Sequence, residues 1–424
     1  MRLLRLSVTG FMLLAITTMC AVAGDGGSAY SLLGIGDLRY IPSTRSAGMG
    51  YTGLASMSPV YINAFSPGTW SALVHTRLQA DAMYEGFNST DGTNSRYLAR
   101  VDFTGAALAV PISPSNGIVF VAGLTPYSRI NYDTYDAGTF SGAEDTLSYS
   151  THYYGTGGVT RAFMGASYVP LEGLSLGFSM NYLFGSRDNT REIVPHDSGF
   201  VGGSLSESNS VSGVTFTIGG VYAGFGSIAS WLKPLSFGFF VSSRGRIGTH
   251  NQNVYQFAPS ESATELDTIA VATGDLVVPV TYGFGLDFQA GERYTIAADY
   301  IAEPWRSTEF NGAPIPNLRN SFRLGLGAER APSKEAGSSF LDKLDTRLGA
   351  YYHATYLQIN GNGITEYGGT AGFGVPISFD TRLNFALEYA VRGSRQPGLI
   401  RDHIWRGTVS LNIGELWFQK FEEE

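Results

Sequence analysis

Apolar and polar residues alternate along most of the chain from about residue 75 to its end. Since a period of two puts successive side chains on opposite faces of a β-strand, this pattern indicates strands with one apolar face. One clear stretch has an apolar set at every second position, namely Leu174, Leu176, Phe178, Met180, Tyr182 and Phe184. We predict fourteen strands, near residues 75–87, 97–110, 117–130, 151–169, 173–188, 209–224, 234–254, 277–290, 292–306, 318–329, 344–359, 364–378, 380–393 and 403–418.

The length of these strands favours a membrane barrel over a soluble sandwich. Most of them exceed the five or six residues that are usual in soluble sheets. Tight turns alternate with longer polar connections, predicted at 131–150, 189–208 and 255–276, as in outer-membrane barrels. Because an open sheet edge in lipid leaves backbone groups unpaired, the sheet must close. We therefore predict an all-β fold, a 14-stranded antiparallel transmembrane β-barrel with an N-terminal hatch, or plug, in its lumen.

Composition agrees with this class and excludes others. The 424 residues are 43% hydrophobic but only 15% charged, and 54 of them are Gly. Apolar and aromatic content is too high for a disordered chain. The net charge of −8 and the lack of a basic block argue against nucleic-acid binding. The six His show no metal-ligand spacing, so we expect no metal and no cofactor.

The first residues are typical of an export signal. Arg2 and Arg5 precede an apolar stretch that ends at Met19, and residues 21–23 read Ala-Val-Ala, a cleavage-site pattern. The single Cys20 raises the alternative of a lipoprotein, but the residue before it is Met rather than a small one. We predict a signal peptide at 1–23, a hatch at 24–74 and a barrel at 75–424. Cleavage after Ala23 leaves a mature chain without cysteine.

The segment before the first strand resembles a known family. It is rich in small residues at 43–53 and reads Asn-Ala-Phe-Ser-Pro-Gly-Thr-Trp at 63–70. This is similar to the hatch of FadL-type outer-membrane transporters of long-chain fatty acids and other hydrophobic compounds. The start at 30–38 and the last strand at 405–418 are similar to the Bacteroidetes branch of that family. In FadL-type proteins an Asn-Pro-Ala motif precedes the first strand, whereas here Ser66-Pro67-Gly68 stands in its place.

Two sets of candidate site residues follow. The resemblance and the small-residue pattern assign hatch or gating roles to Ser66, Pro67, Gly68, Gly48, Gly50 and Gly53. Arginines on the lumen-facing side of the strands could bind a ligand carboxylate with their planar guanidinium, and the candidates are Arg244, Arg323, Arg347 and Arg382. The alternative is that lumen charges only pair with one another.

The resemblance implies a monomer in the bacterial outer membrane, surrounded by lipid, that binds a hydrophobic small molecule in its lumen and releases it sideways through a gap at a kinked strand. We predict transport of hydrophobic compounds such as long-chain fatty acids by passive lateral release. The alternative is a structural or secretion-associated barrel that carries no small ligand. No nucleophile motif stands out, so we expect no catalytic residues and no enzyme activity.

Overall fold

A computed structural model describes residues 24–415 apart from 142–145, 197–201, 261–262, 334, 336, 379, 395 and 397. The predicted signal peptide, Cys20 and the last residues of the predicted final strand lie outside this part of the chain. Among the described residues, no helix is both long enough and apolar enough to cross a membrane.

The described residues form a closed barrel of fourteen antiparallel strands, as the alternation predicts. Strands 3, 7 and 8 each consist of two segments. The strands are β1 (Thr76–Thr90), β2 (Ser95–Ser113), β3 (Ile118–Pro126 and Ser128–Ser141), β4 (Thr146–Leu171), β5 (Leu174–Pro195), β6 (Gly203–Tyr222), β7 (Leu235–Ser242 and Gly245–Ser260), β8 (Ala263–Val278 and Thr281–Ala290), β9 (Tyr294–Glu303), β10 (Ser321–Arg330), β11 (Asp345–Ile359), β12 (Asn362–Pro376), β13 (Arg382–Gly393) and β14 (Arg401–Glu415).

Closure comes from the pairing of the last strand with the first. β14 runs antiparallel to β1, from Arg401 opposite Thr90 to Glu415 opposite Thr76. No edge is therefore left open where these two strands meet, as lipid requires. We call the end of the barrel that holds the start of β1 and the end of β14 the inner end, and the opposite end the outer end.

The two faces of the wall follow the predicted parity. On β5, Phe178 is 48% exposed on the outside, whereas its neighbour Ser179 is 3% exposed and points into the lumen. Exposed Phe, Leu and Tyr side chains recur on most strands and form the apolar outer surface that a bilayer covers. A closed barrel with this surface implies location in the bacterial outer membrane.

The wall is much taller on one side than on the other. β4 has 26 residues and β5 has 22, whereas β9 and β10 have 10 each. We predicted polar loops at 131–150, 189–208 and 255–276. These segments are largely strand in the structure, so the prediction of three loops was wrong. Their Ser, Thr and Tyr side chains lack apolar alternation but pair well in a sheet that has water on both faces.

Residues 26–75 precede the barrel and lie mostly buried inside it. They contain a short α-helix, Thr44–Ala47, and the 3₁₀ helices Ala29–Leu32 and Pro67–Ala72. Short 3₁₀ helices in the connections are Pro114–Asn116, Phe225–Ser227, Ser230–Leu232, Trp305–Ser307 and Leu341–Lys343. Two-residue strands, Gly24–Asp25, Asp37–Leu38, Glu309–Phe310 and Ala313–Pro314, complete the sheet.

Candidate functional site: a plugged lumen with an outer cavity

Three hatch glycines lie against the barrel wall, where a side chain would not fit or would strain the backbone. Gly50 has φ +63°, and a Cβ there would stand 2.5 Å from the carbonyl oxygen of Ala350. Gly48 lies directly against Gly372, and a Cβ on Gly48 would stand 3.1 Å from the Cα of Gly372. Gly53 has φ +140°, and its N–H donates to the Asp299 carboxylate at 2.7 Å. The small residues predicted to matter in the hatch thus allow it to touch the strands.

The Ser-Pro-Gly turn is equally close to the wall. Ser66 is fully buried, and its hydroxyl donates to the carbonyl of Leu54 at 3.1 Å. Pro67 begins a 3₁₀ helix, a position where its missing N–H costs nothing. A Cβ on Gly68 would stand 2.6 Å from the Cα of Gly220 on β6. The turn therefore fixes the hatch against β5 and β6, although nothing in its geometry shows movement.

Buried ion pairs join the hatch to the wall across the middle of the lumen. Glu85 on β1 accepts hydrogen bonds from Arg39 of the hatch at 2.7 Å, from Arg100 at 2.8 Å and from Arg406 at 2.6 Å. Burial disfavours charge on Arg39, but the adjacent Glu85 carboxylate more than offsets this and raises the pKa of Arg39 above its usual value. The pair is therefore charged.

The network continues around β12, β13 and β14. Arg406 also contacts Glu366 at 3.0 Å and Glu388. Arg392 pairs with Asp37 of the N-terminal segment at 2.8 Å and with Asp402 at 3.3 Å. Opposite charges thus hold the N-terminal segment against neighbouring strands of the wall, beside a buried apolar cluster.

The four arginines proposed as ligand contacts do not come together at one site. Arg347 pairs with Glu329 at 2.8 Å, and Arg382 pairs with Asp345. Arg323 lies between two aromatic rings, 4.1 Å from the centroid of Tyr51 and 4.2 Å from that of Tyr351. The side chain of Arg244 is 58% exposed and stands 3.9 Å from Glu309. Arg347 and Arg382 therefore pair with acids of the wall, which agrees with the alternative of mutually paired lumen charges, whereas Arg323 contacts the hatch through Tyr51.

A cavity of about 530 Å³ lies in the outer half of the barrel, above the charged layer. Its apolar side is formed by the N-terminal segment, the wall and the β9–β10 connection, through Ile35, Ile130, Val159, Val211, Leu276, Phe310 and Ile315. The largest buried apolar cluster of the described residues includes or packs against most of these side chains. The sequence pattern did not identify the cavity, because its lining comes from segments far apart in the chain.

The polar side of the cavity carries amides, an acid and one cation. Asn209, Asn251 and Glu207 line it. Arg187 is the one Arg or Lys among the described lining residues, and its guanidinium donates to the carbonyls of Gly34 at 2.7 Å and Leu32 at 3.2 Å. Its two terminal nitrogens therefore support the N-terminal segment, whereas its Nε has no hydrogen-bond partner among the described residues.

A gap in the wall lies next to this cavity. β2 and β3 pair only in their inner halves, from Ser113 opposite Ile118 to Ala106 opposite Leu124. Beyond Pro126 the second segment of β3 pairs with β4, and the outer half of β2 pairs with β1. Two strand edges consequently face each other in the outer half of the barrel.

Solved structures of channels share this architecture. The CymD monoaromatic hydrocarbon channel aligns with a TM-score of 0.58 at 14% identity, over 92% of this chain and 100% of CymD. A Pseudomonas aeruginosa FadL homologue aligns with a TM-score of 0.58 at 13% identity, over 89% and 98%. The Ralstonia pickettii toluene transporter TbuX gives 0.56 at 16% identity, over 87% and 97%. At these identities the likeness shows the fold.

No curated protein matches the sequence significantly. The sequence model of the BamG family, however, matches residues 4–422, which is nearly the whole chain. Its closed fourteen-stranded barrel has the fold of FadL-type channels, and because the match spans nearly the whole sequence, the chain belongs to the BamG family.

Proposed function

We propose that this protein transports hydrophobic compounds across the outer membrane as a monomer, with residues 24–74 acting as one hatch. The compound would bind in the outer cavity and pass sideways into the bilayer between β2 and β3. The observation that supports this most is the position of the cavity. Ile35 and Ile130 line it, and they are close in sequence to the residues that meet at the free edge of β3, where Asp37 pairs with Arg129.

The physics favours such a lateral route over a path along the axis. An apolar compound loses about 25 cal/mol for every Å² of its apolar surface that returns to water. The way toward the inner end passes the buried ion pairs around Glu85 and Arg406, which offer less apolar contact than the outer cavity. A lateral step keeps the compound against apolar surface throughout.

The lining of the cavity supports neutral compounds as its ligands in preference to fatty acids. A carboxylate that leaves water needs a cation or several donors. Here the two terminal nitrogens of Arg187 are engaged by backbone carbonyls, which leaves only its Nε, and Glu207 would repel a second anion. Long-chain fatty acids, expected from the family resemblance, are therefore proposed to bind more weakly than uncharged hydrophobic compounds of similar size.

Binding and transfer assays test this proposal. A neutral fluorescent aromatic probe and a labelled fatty acid are titrated against the purified protein, and a Val211→Trp variant fills part of the cavity. We expect the neutral probe to bind, and the variant to bind it at least about tenfold more weakly. Leu324→Trp, on the lipid-facing side, is the matched control. If neither compound binds, or if Val211→Trp binds as the wild type does, the transport proposal fails.

A second candidate is a structural or secretion-associated barrel without a small ligand. It is favoured by the closed lumen, in which hatch and wall are joined by Arg39–Glu85, Arg45–Glu329 and Arg392–Asp37 ion pairs. A barrel that serves as a scaffold gains rigidity from such contacts and has no need to open. Absence of any binding, together with normal folding, would favour this candidate.

A further inference from the structure

The N-terminal segment fills the gap between β2 and β3. Residues 24–38, which we call the strap, contribute one short strand to each of the two free edges. Gly24–Asp25 pairs in parallel with Leu98 and Ala99 of β2. Asp37–Leu38 pairs antiparallel with Arg129 and Ser128 of β3. Exposed strand edges bind additional strands readily, because their N–H and C=O groups are otherwise unpaired.

Between these two short strands the strap stays in contact with β3. The Ser31 hydroxyl donates to the carbonyl of Asn131 at 2.9 Å and accepts from its N–H at 3.2 Å. Gly27 passes so close that a Cβ there would stand 2.7 Å from the same carbonyl oxygen. The N–H of Arg39, just after the strap, donates to the carbonyl of Tyr127 at 3.0 Å. The strap therefore satisfies backbone groups of both edges.

Burial along β2 is consistent with the strap as a cover. Ala99 is 5% exposed, although Tyr97 and Val101 on the same face of β2 are 47% and 49% exposed. Leu98 has lumen-facing parity and meets the strap there, since a Cβ on Gly26 would stand 3.2 Å from its side chain. Leu98 and Ala99 are the two residues that pair with Gly24 and Asp25.

Side chains and backbone of β13, β14 and their connection hold the strap in place. Ser28 is fully buried and donates to the Asp402 carboxylate at 2.5 Å. The Tyr30 hydroxyl donates to the carbonyl of Ile400, and Asp37 pairs with Arg392. These contacts link the strap to the strands that follow β1 around the barrel, so it cannot leave the gap without also breaking bonds to β13 and β14.

We propose that the strap is a seal of the lateral opening, and that the structure shows the closed state. A compound in the outer cavity reaches the bilayer only after residues 24–38 unpair from β2 and β3. The seal follows from the strand pairing, whereas its role as a gate for a ligand rests on the proposed transport function.

Thiol labelling in proteoliposomes tests the seal independently of transport. Ala99→Cys lies under the strap and Val101→Cys is its exposed control on the same strand. With a maleimide that partitions into bilayers, we expect Ala99→Cys to react at least about tenfold more slowly than Val101→Cys, since two or more hydrogen bonds must first open. Deletion of residues 25–36 should abolish this difference. A folded deletion variant in which Ala99→Cys stays protected would overturn the proposal.

A milder variant keeps the test decisive if the deletion does not fold. Ser28→Ala with Ser31→Ala removes two attachments of the strap without changing the chain length. We expect labelling of Ala99→Cys to rise at least about tenfold, because the strap loses the hydrogen bonds of both serines and opens more often. Unchanged labelling in this variant would count against the seal.

A reversible lock tests the gate. Leu38 and Ser128 are opposite each other in the register, so Leu38→Cys with Ser128→Cys can form a disulfide. The oxidised variant should bind the neutral probe as before but should not transfer it into vesicle membranes, and reduction should restore transfer. Transfer by the oxidised variant at the wild-type rate would refute the gate. If the wild type neither binds nor transfers the probe, the transport proposal and with it the gate fail, while the labelling result still decides the seal.

Discussion

Replacing Glu85 by Gln removes the negative charge at the centre of the lumen while keeping the size of the side chain. Glu85 is fully buried and is the common partner of Arg39, Arg100 and Arg406. After the substitution, Arg100 keeps Asp102 at 2.9 Å and Arg406 keeps Glu366 and Glu388. Arg39 keeps only a distant contact with Asp102 at 3.8 Å. The hatch cation is therefore the group that loses most.

The expected cost is about 3–5 kcal/mol, the usual range when one partner of a buried ion pair is removed. Asp133→Asn is the matched control, because this carboxylate is part exposed and bonds the exposed Arg96 at 3.2 Å. Exposed pairs contribute about 0–1 kcal/mol. Adding Arg39→Gln to Glu85→Gln should recover stability, because the double variant no longer buries the uncompensated hatch charge.

Stability is measured by guanidinium unfolding in detergent, with the heat-dependent gel mobility of the folded barrel as the readout. Loss of less than about 1 kcal/mol in Glu85→Gln, equal to the control, would refute the reasoning that the buried network holds the hatch. A double variant that is less stable than Glu85→Gln would show that Arg39 contributes through packing and not through its charge.

Two further predictions concern the hatch contact and the lipid-facing surface. Gly50→Ala should destabilise the protein by about 2–4 kcal/mol, because Ala is strained at positive φ and its Cβ would meet the Ala350 carbonyl. Gly369→Ala is the control and should be near neutral in the same unfolding assay, because its Cβ would meet nothing within 4 Å. Phe284→Arg should lower the free energy of unfolding by roughly 2–4 kcal/mol if the side chain lies near the middle of the bilayer, whereas Phe284→Leu should lower it less. Equal losses of stability in lipid vesicles would mean that Phe284, which is 45% exposed, does not face lipid.

The sequence was sufficient to predict the wall of the barrel because its alternation is local. Phe178 and Ser179 already show which face is which, and fourteen such strands can be counted without knowing their partners. The close packing at Pro67 and Gly50 was also foreseeable, because small residues and a proline limit what the backbone can do there.

The remaining features depend on contacts between distant parts of the chain. Gly24 pairs with Leu98 of β2. Ser28 donates a hydrogen bond to Asp402, which is 374 residues away in the sequence. No local sequence pattern therefore identifies the strap. The alternation of residues could show that Arg347 faces the lumen, but it could not show that Arg347 forms an ion pair with Glu329. The outer ends of β3 to β8 were missed because they have no apolar face, and alternation was the signal used to find strands.

Because the wall is unequally high, the two sides of the barrel differ in how far they extend beyond the bilayer. At about 3.3 Å per residue and a tilt near 45°, the 26 residues of β4 rise up to about 60 Å, whereas the 10 residues of β10 rise about 23 Å. The apolar band of a membrane barrel is about 25 Å tall, so β10 ends near the bilayer surface while β4 extends far beyond it. A molecule that arrives from solution is therefore screened on the side of β3 to β8 and meets an open approach over β9 to β14. A neighbouring protein that binds far above the bilayer can meet the wall only on the tall side.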